Sequence, residues 1–561
     1  MRGPSRSGFL ASVATLLSAW PALAQPIALP PDACGRLTSA SVPRTAIALP
    51  SGGATIDRAE AQAAMPIAVA ERAPTPAARI TPAAPAFCRV LGRIAPADPA
   101  APPIRFQVNL PASWNGKLVQ FGGGGFNGVL ITGLGLVPGA PFDAPGPLAE
   151  GYVTYGTDSG HEQKPGEPPQ AFAANDEAFL NFAHAGYKKV RDAAVALTEQ
   201  AYGRRPARIY FVGSSEGGRE ALTMAQRYPA DFDGVFARVP VINWTGLQHA
   251  GSRNGLATRG DGWLARAQVE LVHDAVLAAC DGADGVTDGL VANPRKCLAG
   301  FRAADLRCPD GQAAGACLNA DQVRAVETLH APYVHPFPLA NGVTEYPGWG
   351  ISGEGLPAAG PTGGWSAWWV GASPPAVPPR PDNGIAWVYG SGALTHIFAR
   401  DPASDPSAYR PEAHRARVEE VSALMDSTSP DLSAFAARGG KVIILEHMAD
   451  YAQSPFAGIR YYDSVVDRMG RDRAASLVRL FTLPGIDHVG TGGPANVDML
   501  GALDHWVEGG AAPAGLVATE QEVAPSTFLT RRSMPLCEWP AWPKYRSGDQ
   551  SAAASFSCVS E

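Results

Sequence analysis

A chain of 561 residues can bury a large core, and is long enough for several structural units or for one domain with a large insertion. Its formal charge of −7 is spread without long runs of one sign, which argues against a nucleic-acid binder and against a polybasic anchor on an anionic membrane. A small neutral or weakly charged ligand fits this balance best.

The first segment, residues 1–24, has Arg2 and Arg6, an apolar run from Phe9, and Ala22 and Ala24 just before Gln25. This is a signal-peptide pattern with cleavage after Ala24, and it predicts a secreted or periplasmic protein. No later segment offers about 20 uninterrupted apolar residues, so no membrane span is expected. In an exported chain the eight cysteines read as four disulfides. Spacing favours the local pairs Cys34 with Cys88, Cys280 with Cys297, Cys308 with Cys317 and Cys537 with Cys558, although sequence alone leaves connectivity open.

Residues 25–242 read as the first part of a core, preceded by an Ala- and Pro-rich extension to about residue 85. Alternating apolar residues and turn breakers then predict strands in "FCRVLGRIAP", "IRFQVNLP", "KLVQFGGGG" and "EGYVTYGTD". "AGYKKVRDAAVALTEQAYG" has helical spacing, "ARIYFVGSS" is a buried strand and "GGREALTMAQRYP" a helix. Strand alternating with helix implies an α/β fold on a parallel sheet.

That pattern breaks at residues 243–435, where Gly-, Pro- and Trp-rich stretches such as "GPTGGWSAWWVGASPPAVPPRPDNG" read as an inserted lid domain. Alternation resumes over residues 436–561 with "GGKVIILEHMAD", a helix in "FAGIRYYDSVVDRMG" and the strand of "ASLVRLFTLPGIDHVGTGG", ending in a tail closed by the last cysteine pair.

Two adjacent serines stand in "YFVGSSEGGRE". Ser215 lies between Gly213 and Gly217 and so satisfies Gly-x-Ser-x-Gly, whereas Ser214 has Val212 and Glu216 at those places. A nucleophile elbow needs small neighbours because the chain reverses sharply from strand to helix. A serine hydroxyl also needs a histidine to take its proton and an acid to orient that histidine. In the order Ser, acid, His, the residues just past the next strand ends are Asp450 and His488. The competitors are His447, still close to its strand, and Asp487, a poor partner for the imidazole next to it in sequence. "QFGGGGFNG" offers backbone N–H groups for an oxyanion, with Gly124 the chosen donor and Glu216 the second. No GK[ST] follows these glycines, which disfavours a phosphate cradle.

Within the insertion, "CDGADGVTDGL" gathers the carboxylates of Asp281, Asp284 and Asp288, with carbonyls from Val286 and Leu290. Clustered hard oxygens suit calcium, and a turn cluster stapled by Cys280 and Cys297 is the alternative. Trp365, Trp368 and Trp369 are candidates for an aromatic-binding pocket or for lid core.

Taken together, these stretches resemble the tannase and feruloyl esterase family, which includes mono(2-hydroxyethyl) terephthalate hydrolases. The likeness is carried by "LPASWNGKLVQFGGGGFNG", "YGTDSGHE", "YFVGSSEGGREALTMAQRYPADFDGV", "CDGADGVTDGLVANPRKC", "MADYAQSP" and "PLCEWPAWPKYRSGDQSAAASFSC". It implies an α/β-hydrolase core with a lid, a triad of Ser215, Asp450 and His488, and a structural calcium ion in the lid loop. Family members typically carry Cys just before the nucleophile and just after the catalytic His. Here those places are Ser214 and Val489, so the bridge between the two loops is missing without leaving an orphan thiol.

The resulting expectation is an exported serine carboxylesterase acting on small aromatic esters, of hydroxycinnamic, gallic or terephthalic type. A general, aliphatic or polyester-directed esterase shares the same triad, and a silent binding protein on the same fold is the reading from another class. The sequence sets no oligomeric state.

Overall fold

Eleven strands form one mixed sheet through the molecule, and in chain order they are β1 (Ser41–Val42), β2 (Ala54–Gln62), β3 (Phe87–Ile94), β4 (Ile104–Pro111), β5 (Lys117–Phe121), β6 (Val153–Thr157), β7 (Arg208–Ser214), β8 (Gly234–Arg238), β9 (Lys441–His447), β10 (Val478–Leu483) and β11 (Cys537–Glu538). The computed structural model describes residues 25–70, 77–309, 315–355, 363–524 and 527–560; the expected signal peptide lies outside the described residues. Across the sheet the order is β11-β10-β9-β8-β7-β5-β6-β4-β3-β2-β1. The six strands from β10 to β6 are parallel, and antiparallel strands extend both edges.

The parallel strands are apolar on both faces because helices cover both. Phe211, Val235, Val442 and Leu480 pack on one side against helices α1 (Gly186–Tyr202), α2 (Glu216–Arg227) and α3 (Pro455–Met469). Their strand neighbours Tyr210, Val212, Phe236, Ile443 and Phe481 point the other way, onto α4 (Met499–Gly509). Each fully buried side chain of this size contributes about 1.5–3 kcal/mol, so the central strands form the most stable frame available for a site.

Four strands, the two-residue β1 and β11 together with β2 and β8, carry no clear sequence signal. β2 lies inside the Ala- and Pro-rich extension and pairs antiparallel with β3 from Ala54 opposite Ile94 to Gln62 opposite Phe87. Only Ala54 of its nine residues is buried, so the backbone ladder rather than an apolar alternation holds it. β8, with five residues all buried, is too short to show a period.

Among the described residues, no strand between β8 and β9 joins the central sheet. That long segment builds helices around a second core in which Trp349, Trp365 and Trp369 are buried, Trp349 meeting Trp369 edge-on at 4.6 Å. The structure contains the disulfides Cys34–Cys88, Cys280–Cys297, Cys308–Cys317 and Cys537–Cys558, and no described cysteine is free. Among the described residues no helix is long and apolar enough to cross a membrane.

Candidate active site

Strand β7 ends at Ser214 and α2 begins at Glu216, leaving Ser215 alone to make the reversal at φ 62°, ψ −122°. A residue with a side chain pays for such a conformation, and the surroundings hold it there. The Ser215 N–H donates to the Arg238 carbonyl at 3.0 Å, and its own carbonyl accepts from Gly218, Arg219 and Val241 at 3.0–3.2 Å. The flanking glycines are required by contact: a Cβ on Gly213 would stand 2.1 Å from the Gly217 carbonyl oxygen, and one on Gly217 would stand 2.7 Å from the Gly123 carbonyl oxygen.

The loop after β10 carries His488 to the exposed side of this turn. Its Nε2 is 2.9 Å from Ser215 Oγ and its Nδ1 is 2.7 Å from Asp450 Oδ2. With an acceptor carboxylate at Nδ1, the proton sits there and Nε2 is free to accept from the serine hydroxyl. Asp450, buried just past β9, is fixed by further donors: its Oδ1 accepts from the N–H groups of Ala452 at 2.7 Å and Gln453 at 3.0 Å. The Gln453 side-chain amide reaches Asp450 Oδ2 at 3.2 Å and Glu446 Oε2 at 2.9 Å. Burial, and then the Asp450 charge, push the Glu446 carboxyl well above the usual carboxylate range. A neutral Glu446 can stand behind Asp450 without repelling it.

The two competitors do other work. Asp487 closes the turn after His488, accepting from Val489 and Thr491 N–H at 3.1 and 2.7 Å and from the Thr491 hydroxyl at 2.6 Å. His447 is fully buried, and burial and the nearby Arg238 charge push its pKa well down. Arg238 Nε, which only donates, lies 3.3 Å from His447 Nε2, so the His447 proton is on Nδ1 and donates to the Asp487 carbonyl at 2.6 Å. Arg238 Nη1 also donates to Ser214 Oγ at 3.0 Å. A polar chain from Ser214 through Arg238 and His447 to Asp487 thus joins elbow to histidine loop where the cysteine pair is absent. Val489, the other such place, lines the cavity.

The glycine loop after β5 is tied to α2. Buried Glu220 accepts from the Gly123 N–H at 3.0 Å and from Asn127 Nδ2 at 2.6 Å, while Asn127 also donates to the Tyr187 hydroxyl at 2.7 Å. His161 holds the Phe126 carbonyl at 2.9 Å and stacks on Phe172 at 3.7 Å; burial lowers its pKa to about 4, leaving it a neutral donor. Among the described residues, the backbone N–H groups of Gly124 and Glu216 have no partner, and both residues line the cavity over Ser215. Such a pair of N–H groups is what a developing oxyanion requires.

The cavity holds about 550 Å³. One wall is aromatic: Trp368 lies 6.0 Å from Tyr389, 5.9 Å from Tyr451 and 6.3 Å from the His488 ring, and Tyr389 meets Phe126 edge-on at 5.1 Å. Of the three tryptophans singled out in the sequence, Trp368 faces the cavity while Trp365 and Trp369 belong to the inserted core. Tyr389, Arg238 and Glu446 stand in no motif, and Phe126 and Gln453, although they lie in "QFGGGGFNG" and "MADYAQSP", have no chemistry that marks them; only the fold brings these residues here.

The Asp loop lies away from this cavity. Asp281 accepts from the N–H groups of Asp288 at 3.2 Å and Gly289 at 3.0 Å, Asp284 from Val286 and Asp288 from Leu290, each at 3.1 Å. The Val286 and Leu290 side chains pack with Met534 and Phe556 of the tail. Burial and the two neighbouring carboxylates push Asp284 up to about 6. Among the described residues, no group of three or more His, Cys, Asp or Glu side chains forms a ready metal cage. The three carboxylates are hard oxygens that repel one another, and a hard cation is the charge that would relieve them.

A family model described as tannase and feruloyl esterase matches residues 88–559. An uncharacterised esterase of Agrobacterium fabrum is 36% identical over 550 residues, covering 94% of this chain and 93% of that protein. A mono(2-hydroxyethyl) terephthalate hydrolase of Piscinibacter sakaiensis is 32% identical over 537 residues, 86% of each chain. The crystal structure of feruloyl esterase B from Aspergillus oryzae shares the fold, with a TM-score of 0.73 at 22% identity over 92% of this chain and 98% of that one. With that family's model spanning most of its length, the chain belongs to the tannase and feruloyl esterase family of carboxylic ester hydrolases.

Proposed function

We propose that the protein hydrolyses esters of aromatic carboxylic acids through an acyl-enzyme on Ser215. The observation that carries this reading is the Ser215–His488–Asp450 array opening into a cavity with an aromatic wall. His488 Nε2 takes the hydroxyl proton as Ser215 Oγ attacks the ester carbonyl. The N–H groups of Gly124 and Glu216 hold the oxyanion, and the imidazolium, oriented and stabilised by Asp450, protonates the departing alcohol. Water, deprotonated by the same His488, then releases the acid and restores Ser215. The wall of Phe126, Trp368, Tyr389 and Tyr451 suits a phenyl ring on the acyl group. Relatives named for feruloyl and terephthalate esters support the aromatic assignment.

We also propose a structural calcium ion held by the carboxylates of Asp281, Asp284 and Asp288 and the carbonyls of Val286 and Leu290, with no catalytic role. Export to an oxidising compartment is part of the same reading, and four disulfides support it.

The test is hydrolysis of methyl ferulate, methyl gallate, mono(2-hydroxyethyl) terephthalate and a short-chain p-nitrophenyl ester by the wild type and Ser215→Ala. Turnover of an aromatic ester that falls on the order of a millionfold in Ser215→Ala is expected. Turnover confined to the p-nitrophenyl ester would move the substrate class to aliphatic esters. No Ser215-dependent turnover, together with no labelling of Ser215 by a fluorophosphonate, would leave a silent binding protein.

A further inference from the structure

Besides the aromatic wall, the cavity over Ser215 is lined by Gly139, Gly490, Ala495 and Arg238. Arg238 is only 7% exposed, yet among the described residues no carboxylate lies within ion-pair distance of it. The acidic groups nearest in charge are already committed, Asp450 to His488 and Asp487 to the Thr491 turn. Nε and Nη1 are used on His447 and Ser214, and Nη2 has no partner. Gly490 leaves space beside this free edge: a Cβ there would stand 2.7 Å from Nη2.

A buried charge without an opposite charge is costly, and the planar fork of a guanidinium is shaped for a carboxylate. We propose that the free edge of Arg238 is a carboxylate subsite, so that the preferred substrates are aromatic esters carrying a second, ionised carboxyl group. This rests on the Ser215 esterase reading and narrows its substrate class. The carboxylate can belong to the acyl half, as in a monoester of a benzene dicarboxylic acid, or to the alcohol half, as in an aromatic ester of a hydroxy acid. In both cases it exchanges water for Arg238 N–H groups, in a site where the absence of a side chain at Gly490 leaves room beside Nη2.

Two twin pairs of substrates test this: monomethyl terephthalate against methyl 4-carbamoylbenzoate, and O-benzoylglycolate against O-benzoylglycolamide. Each twin keeps the shape and removes the charge. The expected result is a kcat/KM for the carboxylate member of one pair about 10- to 100-fold above its amide twin, the range for hydrogen bonds to a charged group. Which pair shows it identifies the half that carries the carboxylate. In Arg238→Gln the ratio should fall to near unity, because turnover of the amide twin and of its acid then changes by different factors; Arg238→Lys should keep part of the preference. The proposal is overturned if both amides are hydrolysed through Ser215 as fast as their acids, or if the preference survives in Arg238→Gln. Should no ester be turned over at all, the esterase reading and this one fall together.

Discussion

Gln453 has no chemistry of its own, yet its side-chain amide is shared by Asp450 and Glu446, two carboxyl groups that would otherwise face each other in a buried site. Burial and the neighbouring Asp450 hold the Glu446 carboxyl well above the usual carboxylate range, and Gln453 fixes the two groups relative to each other. Gln453→Met should keep the volume and remove the donor, lowering kcat by about tenfold with KM nearly unchanged, since the loss falls on the orientation of His488 and not on substrate contact. An unchanged kcat would mean that the two backbone donors of Ala452 and Gln453 hold Asp450 without help. At this scale the sequence is legible where chemistry forces spacing. The Gly-x-Ser-x-Gly turn marks Ser215, and the strand ends mark Asp450 and His488. Arg238 and Glu446 are invisible because a lone charged residue on a short buried strand looks the same in sequence whether it faces a cavity or a neighbour.

At the scale of elements, the glycine loop depends on two buried polar anchors, Glu220 from α2 and His161 from the loop after β6. His161 titrates near 4 in the fold against 6.5 in an unfolded chain, because burial opposes its charged form. As pH falls below 6.5 the unfolded chain takes up a proton that the folded one refuses, so this residue's share of stability is lost progressively down to about pH 4, amounting to at most about 3 kcal/mol. The melting temperature of the wild type should therefore drop more steeply between pH 6.5 and 4.5 than that of His161→Gln. Parallel curves for the two proteins would show that His161 accepts its proton without loss of the fold. Five of the six parallel strands could be read from apolar runs bounded by turns, and β8 was too short to show. β2 could not, because its half-exposed residues have no reason to alternate and only its partner strand defines it.

For the whole molecule, the Asp loop joins the inserted segment to the C-terminal tail, through Val286 and Leu290 against Met534 and Phe556 and through Arg532 Nη1 on the Asp288 carbonyl at 3.2 Å. A calcium ion there would stiffen the loop through which the inserted segment and the tail meet. Calcium at a hundred times its Kd should stabilise by about 2.7 kcal/mol, read as a melting temperature a few degrees higher than in EGTA. Asp284→Asn should abolish that response and leave kcat on a soluble ester unchanged at low temperature. Identical melting in calcium and in EGTA would remove the ion from the account. The insertion itself was legible as a break in the strand and helix rhythm, but its own core was not. Its tryptophans sort into buried and cavity-facing only once Trp349 and Trp369 have met across the segment.

The long segment between β8 and β9 also separates Ser215 from Asp450 and His488, the two groups aligned with it. A chain emerging from the ribosome presents the nucleophile first, then nearly the whole insertion, and only afterwards Asp450 and His488. Until residue 488 has emerged and β10 has docked beside β9, the serine hydroxyl has no base and the unfinished protein cannot cleave esters around it. On the proposed reading, then, the nucleophile stays without its base until the chain that builds the cavity walls has been made.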